Sequence, residues 1–140
     1  MINMKIHVVS GYFDPIHDGH IELFENAKKG ADKLVVILNN DIQTSQKKGK
    51  PFMEEHVRYK IIQAIRYVDE VFLSIDDDPG VCKSLAKVCE THPNDKLIFI
   101  NGGDRTLDEI PESACKDISN LTLVDGAGEK INSSKKYYSK

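Results

Sequence analysis

No apolar run in the chain approaches the roughly 20 residues that a helix needs to cross a bilayer. The N-terminus also lacks the apolar core and cleavage site of a secretory signal, so cytoplasmic residence is the expectation. Positive charge is not in excess: 19 Lys and Arg stand against 22 Asp and Glu, a net charge of -3, which gives no basic field for nucleic acid. Cysteine is scarce. The three present, Cys82, Cys89 and Cys115, are odd in number and form no C-x-x-C pair, which argues against a disulfide framework or a zinc knuckle and predicts reduced thiols. Cys82 and Cys89 lie in a helical pattern and read as small apolar core residues.

What is present suits one domain over residues 1–140, with 135–140 as a polar tail; 140 residues, 40% of them hydrophobic and 29% charged, suffice to bury a core. A strand is predicted from Lys5 to Ser10, carried by Ile6-His7-Val8-Val9. From Asp18, the residues Ile21, Phe24, Ala27 and Ala31 recur at helical spacing, and Gly30 is placed to stop that helix. Leu34-Val35-Val36-Ile37-Leu38 has no alternation, so both its faces should be covered and it should sit centrally in a sheet. Residues 43–51 are polar, contain Lys47, Lys48 and Lys50, and read as a mobile basic loop.

Helical period returns from Glu54 to Tyr67, followed by a strand over 71–75. Asp76 to Gly80 offers an N-cap and a first-turn proline to a helix through Val81, Leu85 and Val88. Strands follow at 97–100 and 121–124, separated by a polar, partly helical stretch over 107–118. Strands alternating with helices predict an α/β fold, a single-domain doubly wound parallel sheet of about five strands. Ligands of such sheets sit beyond the carboxyl ends of the strands, so the loops at 11–20, 39–51, 101–105 and 126–134 can share one site.

The first of these loops, Gly11-Tyr12-Phe13-Asp14-Pro15-Ile16-His17-Asp18-Gly19-His20, joins a strand to a helix start. A glycine turn admits close approach of a ligand, a helix N-terminus presents N–H groups to an anion, and histidines three apart face the same way. Phosphate is the guest this arrangement suits. A metal reading would need a third ligand, which Asp14 or Asp18 could nominally supply, and an ordinary pair of surface histidines is the plainer alternative.

Gly-x-Phe-Asp-x-x-His-x-Gly-His resembles the HxGH signature of the cytidylyltransferase-like nucleotidyltransferases. These enzymes move a nucleoside monophosphate from CTP or ATP onto a phosphorylated small molecule and release pyrophosphate. The resemblance implies that His17 and His20 donate hydrogen bonds to the triphosphate. It also implies that loop N–H groups from Tyr12 and Phe13 hold the phosphates, with Gly19 keeping the helix start open and Gly11 and Asp14 among the nucleotide-binding candidates. Asp14 reads equally as a turn cap or a histidine-orienting group. The lysines read plainly as a solvated charge run, whereas the resemblance implies that Lys47 or Lys48 reaches the triphosphate.

Arg66-Tyr67-Val68-Asp69-Glu70-Val71 is similar to a segment of the glycerol-phosphate cytidylyltransferases, where an arginine at the Arg58 position faces the site; a surface salt bridge is the alternative. The same resemblance implies a homodimer. Gly102-Gly103-Asp104 is similar to a triplet of the heptose-phosphate adenylyltransferases, with Asp104 suited to ribose or base and Arg105 to an acceptor phosphate. Ile131-Asn132-Ser133-Ser134 resembles the family's last phosphate-binding motif, so Ile131, Ser133 and Ser134 join the candidates. The arginine that opens that motif falls at Ala127, with Lys130 or Arg105 as possible stand-ins. Magnesium bridging the triphosphate is implied. The expected activity is CMP transfer from CTP to a glycerol-phosphate-like or phospho-amino-alcohol acceptor. The alternatives are an ATP-dependent adenylyltransferase acting on a sugar phosphate and a non-catalytic nucleotide-binding protein of the same fold.

Overall fold

Runs rich in β-branched residues form a five-stranded parallel sheet in a computed structural model that describes residues 3–77, 80–101, 118 and 120–125. The elements in chain order are β1 (Lys5–Gly11), α1 (Asp18–Lys28), β2 (Lys33–Leu38), α2 (Asp41–Lys48), α3 (Glu55–Gln63), β3 (Glu70–Leu73), α4 (Cys82–Thr91), β4 (Lys96–Asn101) and β5 (Leu121–Asp125). The strand order is β3-β2-β1-β4-β5. The middle of the sheet therefore belongs to β1, and β2 stands one place from the β3 edge. Even so, β2 is buried on both faces from Leu34 to Leu38, which is why its sequence does not alternate.

The period-two geometry of a strand divides these side chains between two cores. Ile6, Val8, Val35, Ile37, Leu97 and Phe99 pack with Leu85 and Val88 of α4. Val9, Leu34, Val36 and Leu38 pack on the other face with Phe24 and Ala27 of α1 and Ile62 of α3. Helices thus cover both faces, the doubly wound arrangement that the alternating pattern predicts. His7 Nδ1 donates to the Ala27 carbonyl at 2.6 Å, a side-chain link from β1 to α1. Gly30 has φ +79°, in the left-handed region, and turns the chain from α1 towards β2.

Residues 43–51, read from sequence as a mobile loop, are in large part helical: α2 occupies Asp41–Lys48. It was hidden because its buried face is polar. Gln43 and Thr44 are both buried, and the Gln43 amide donates to the Gly80 carbonyl at 2.9 Å. Asn40 caps α2 by accepting from the Gln43 N–H, and donates to the Ser74 and Asp76 carbonyls, each at 2.9 Å. Hydrogen bonds, in place of an apolar stripe, dock this helix.

Two other boundaries shift for local reasons. The third helix ends at Gln63, short of Tyr67, and β3 ends at Leu73 because Ile75 turns away to donate its N–H to the Ser84 hydroxyl at 3.0 Å. The cap of α4 is moved in position but not in chemistry: Val81 holds the N-cap place without a side-chain bond, while buried Asp76 accepts from the Lys83 and Ser84 N–H groups at 2.9 Å. Cys89 is free, and burial pushes its thiol up to about 11. Cys82 is disulfide-bonded, which corrects the expectation of reduced thiols at that residue. The stretch 107–117 and the tail 135–140 lie outside the described residues.

Candidate active site

In this strand order the chain runs outward from β1 through β2 to β3 and then returns to β4 on the other side. The carboxyl end of β1 is thus the topological switch point, where open parallel sheets bind ligands. The signature loop leaves the sheet there. The Gly11 carbonyl still accepts from the Asn39 N–H at 2.9 Å, and then the chain reverses at Phe13, whose φ of 51° is unusual for a bulky residue. Phe13 is buried, edge-on to His20 at 4.9 Å and to Phe24 at 5.3 Å between ring centroids. A Cβ at Gly11 would lie 2.8 Å from that ring. The bare face of Gly11 is filled by Phe13, so this glycine makes room for a side chain.

The two histidines build a helix cap from imidazoles. His17 occupies the N-cap of α1, and its Nδ1 accepts from the Gly19 N–H at 3.1 Å, while His20 Nδ1 accepts from the His17 N–H at 3.1 Å. This is the reciprocal geometry of a capping box, with histidine in place of the usual hydroxyl and carboxylate. The rings stack with centroids 3.9 Å apart. A neutral imidazole whose Nδ1 accepts must carry its proton on Nε2, so each ring is set as an Nε2–H donor. His20 is held neutral at ordinary pH: burial first, and the neighbouring His17 second, lower its pKa to about 4.

The same bonds change the expected source of anion donors. The Gly19 N–H goes to His17 Nδ1, and the His20 N–H to the His17 carbonyl at 3.0 Å. Gly19 itself is buried. The Gly19 and His20 N–H groups are thus spent within the cap. Among the described residues no three His, Cys, Asp or Glu side chains come together as a metal-binding group.

Arg58 is buried, so its ion pair with Asp41 is not a surface salt bridge on its side. Its side chain is fully buried and makes four hydrogen bonds: Nε to the Met53 carbonyl at 2.9 Å, Nη1 to the Tyr12 carbonyl at 2.7 Å and the Asn39 carbonyl at 2.8 Å, and Nη2 to Asp41 at 2.7 Å. The planar guanidinium thus ties together the signature loop, the end of β2, the start of α2 and the segment before α3. Asp14 anchors the same segment, accepting from the Phe52 and Met53 N–H groups at 2.8 and 2.5 Å. Both residues set the loop's shape. Sequence reasoning missed Asp41 and Glu55, whose carboxylate accepts from the Asp41 N–H at 2.8 Å. The available signal was Asn40 and Gln43, three apart, which is a capping-box spacing.

Lys47, in the last turn of α2, places Nζ 4.5 Å from the centroid of the Tyr12 ring, so helix and signature loop meet at this pair. The side chain of Lys48 lies outside the described residues, as do Gly102, Gly103, Asp104, Arg105, Ala127, Lys130, Ile131, Ser133 and Ser134. Arg66 is exposed and stands over the Tyr67 ring at 5.2 Å.

Known proteins resemble this chain in sequence and in fold. The "Bifunctional protein HldE" of Gluconobacter oxydans (strain 621H) is 36% identical over 108 residues, 76% of this chain and 21% of that protein. The ethanolamine-phosphate cytidylyltransferase of Mus musculus is 28% identical over 136 residues, 92% of this chain and 33% of that protein. The chain thus spans between a fifth and a third of the length of these relatives. In fold it is similar to the lipopolysaccharide core biosynthesis protein from Thermoplasma volcanium GSS1, with a TM-score of 0.66 at 24% identity over 88% of this chain and 96% of that one. The cytidylyltransferase-like family model matches residues 8–135, and the chain belongs to that family of nucleotidyltransferases.

Proposed function

We propose that the protein transfers CMP from CTP to a small phosphorylated acceptor, glycerol-phosphate-like or a phospho-amino-alcohol, and releases pyrophosphate. The observation that carries this reading is the imidazole cap: two stacked rings whose Nδ1 atoms accept from backbone N–H groups, which puts the ring proton on Nε2 of each. An acceptor phosphate oxygen attacks the α-phosphorus, a new P–O bond forms, and the bond to the β-phosphate oxygen breaks. The nucleophile arrives as an anion and pyrophosphate leaves as one, so no side chain need take a proton. Catalysis then rests on placing donors where negative charge grows. His17 and His20 supply those donors, Lys47 adds a positive charge, and Arg58 and Asp14 hold the loop in register. Magnesium bound with the triphosphate would neutralise part of its charge.

CTP is favoured by the Arg66 to Val71 segment and by the cytidylyltransferase named above, whose similarity extends over 92% of this chain. ATP on a sugar phosphate is the second reading, favoured by Gly102-Gly103-Asp104. The proposal includes a homodimer through the Arg66 region and a cytoplasmic setting.

A thermal-shift screen of CTP, ATP, GTP and UTP with magnesium, followed by pyrophosphate-release assays over a panel of phosphorylated acceptors, tests it. Selective stabilisation by CTP and release with a polyol or amino-alcohol phosphate are expected. Selective stabilisation by ATP would move the reading to the adenylyl alternative. Binding without release from any acceptor would leave only the non-catalytic one.

A further inference from the structure

We propose that the Tyr12 side chain is a positioning residue that holds the Lys47 ammonium over the signature loop for a polyphosphate. This rests on the nucleotidyl-transfer reading and assigns to the second residue of the motif a role its backbone does not require. Both ends of the contact are anchored. The Tyr12 carbonyl accepts from Arg58 at 2.7 Å, its neighbour Gly11 is paired with Leu38 in the sheet, and the reversal at Phe13 sends that next ring inward. On the other side, α2 is docked through Asn40 and Gln43, and Gln46 donates to the Asp77 carbonyl at 2.8 Å. Lys47 is exposed, and among the described residues it forms no ion pair.

The chemistry of the holder matters here. A carboxylate at Tyr12 would place Lys47 equally well but would cancel its charge before a phosphate arrived. An aromatic face attracts the cation through its quadrupole and leaves the net charge, and the N–H groups on the far side of the nitrogen, available. Tyr12 thus narrows the positions of a long, rotamer-rich side chain without neutralising it.

The test uses the full chain with its lysines reductively 13C-methylated and inorganic tripolyphosphate as the probe. The Lys47 resonance, identified by its loss in Lys47→Met, is expected upfield from ring current in the wild type and in Tyr12→Phe. It should move to the ordinary lysine position in Tyr12→Leu and shift on addition of tripolyphosphate in the wild type. Tripolyphosphate affinity should fall about two- to five-fold in Tyr12→Leu, the worth of one exposed cation–π contact, and be rescued by Tyr12→Phe. In the Lys47→Met background, Tyr12→Leu should add no further loss. The proposal is overturned by a Lys47 resonance that ignores Tyr12→Leu, by one that ignores tripolyphosphate, or by an equal loss of affinity with and without Lys47. A Lys47 response to tripolyphosphate in a protein that releases no pyrophosphate would sustain the Tyr12 role and remove nucleotidyl transfer.

Discussion

The starts of α1 and α2 are built on one plan and put to different uses. Each helix follows a neighbouring parallel strand, β1 or β2, and each opens with a reciprocal cap between residues three apart: His17 with His20, and Asn40 with Gln43. In the amide version the atoms left over are spent inside the protein, on the carbonyls of Ser74, Asp76 and Gly80. In the imidazole version each ring caps with Nδ1, which puts its proton on Nε2, the atom proposed to meet a phosphate.

The comparison can be broken most severely at Arg58, which joins the two starts through the Tyr12 and Asn39 carbonyls and Asp41. Arg58→Met should cost about 3 kcal/mol or more, because buried carbonyls and a carboxylate lose their donor together. That is a drop of about 10 °C in Tm by thermal melting. An unchanged Tm would show that the guanidinium does not hold these segments.

His17→Asn and His20→Gln sharpen the comparison directly, since they turn one cap into the chemistry of the other. The fold should survive, while turnover falls by about 10² or more, the usual loss for a transition-state donor. Pyrophosphate release at the wild-type rate in both variants would remove the histidines from the mechanism. The converse change, Asn40→Ala, should cost about 1–2 kcal/mol by chemical denaturation, from a lost cap and unsatisfied carbonyls. Its effect on turnover should be limited to what a displaced Lys47 explains.

The remaining effect is expected in the pH dependence of stability. His20 titrates near 6.5 when unfolded and is lowered to about 4 in the fold, so the unfolded chain binds more protons between these values. Stability from keeping this ring neutral is complete above about 6.5 and is lost as pH falls towards 4. His20→Gln should flatten that part of the Tm-against-pH curve. An identical slope in the variant would assign the acid sensitivity to other groups.

The sheet was legible because buried parallel strands are written as unbroken β-branched runs, and the signature loop because its residue types are so particular. The second helix was not, since Gln43 and Thr44 bury polar atoms where an apolar stripe would have announced a helix. The position of Arg58 could be read, but its direction could not: a helix arginine looks the same in sequence whether it turns to solvent, to substrate or to three carbonyls inside the protein. The central place of β1 follows from pairing across the sheet, which no local pattern of Leu34 to Leu38 records.

The ring of Phe13 is wedged between Gly11 behind it and His20 in front, which makes the end of a strand the mechanical seat of an imidazole nine residues later, the one proposed as a donor. Play anywhere in that seat becomes misalignment of the donor. Under the proposed nucleotidyl transfer, warming that loosens the carboxyl end of β1 should therefore end activity while most of the sheet is still intact, so that the working temperature limit falls below the melting temperature.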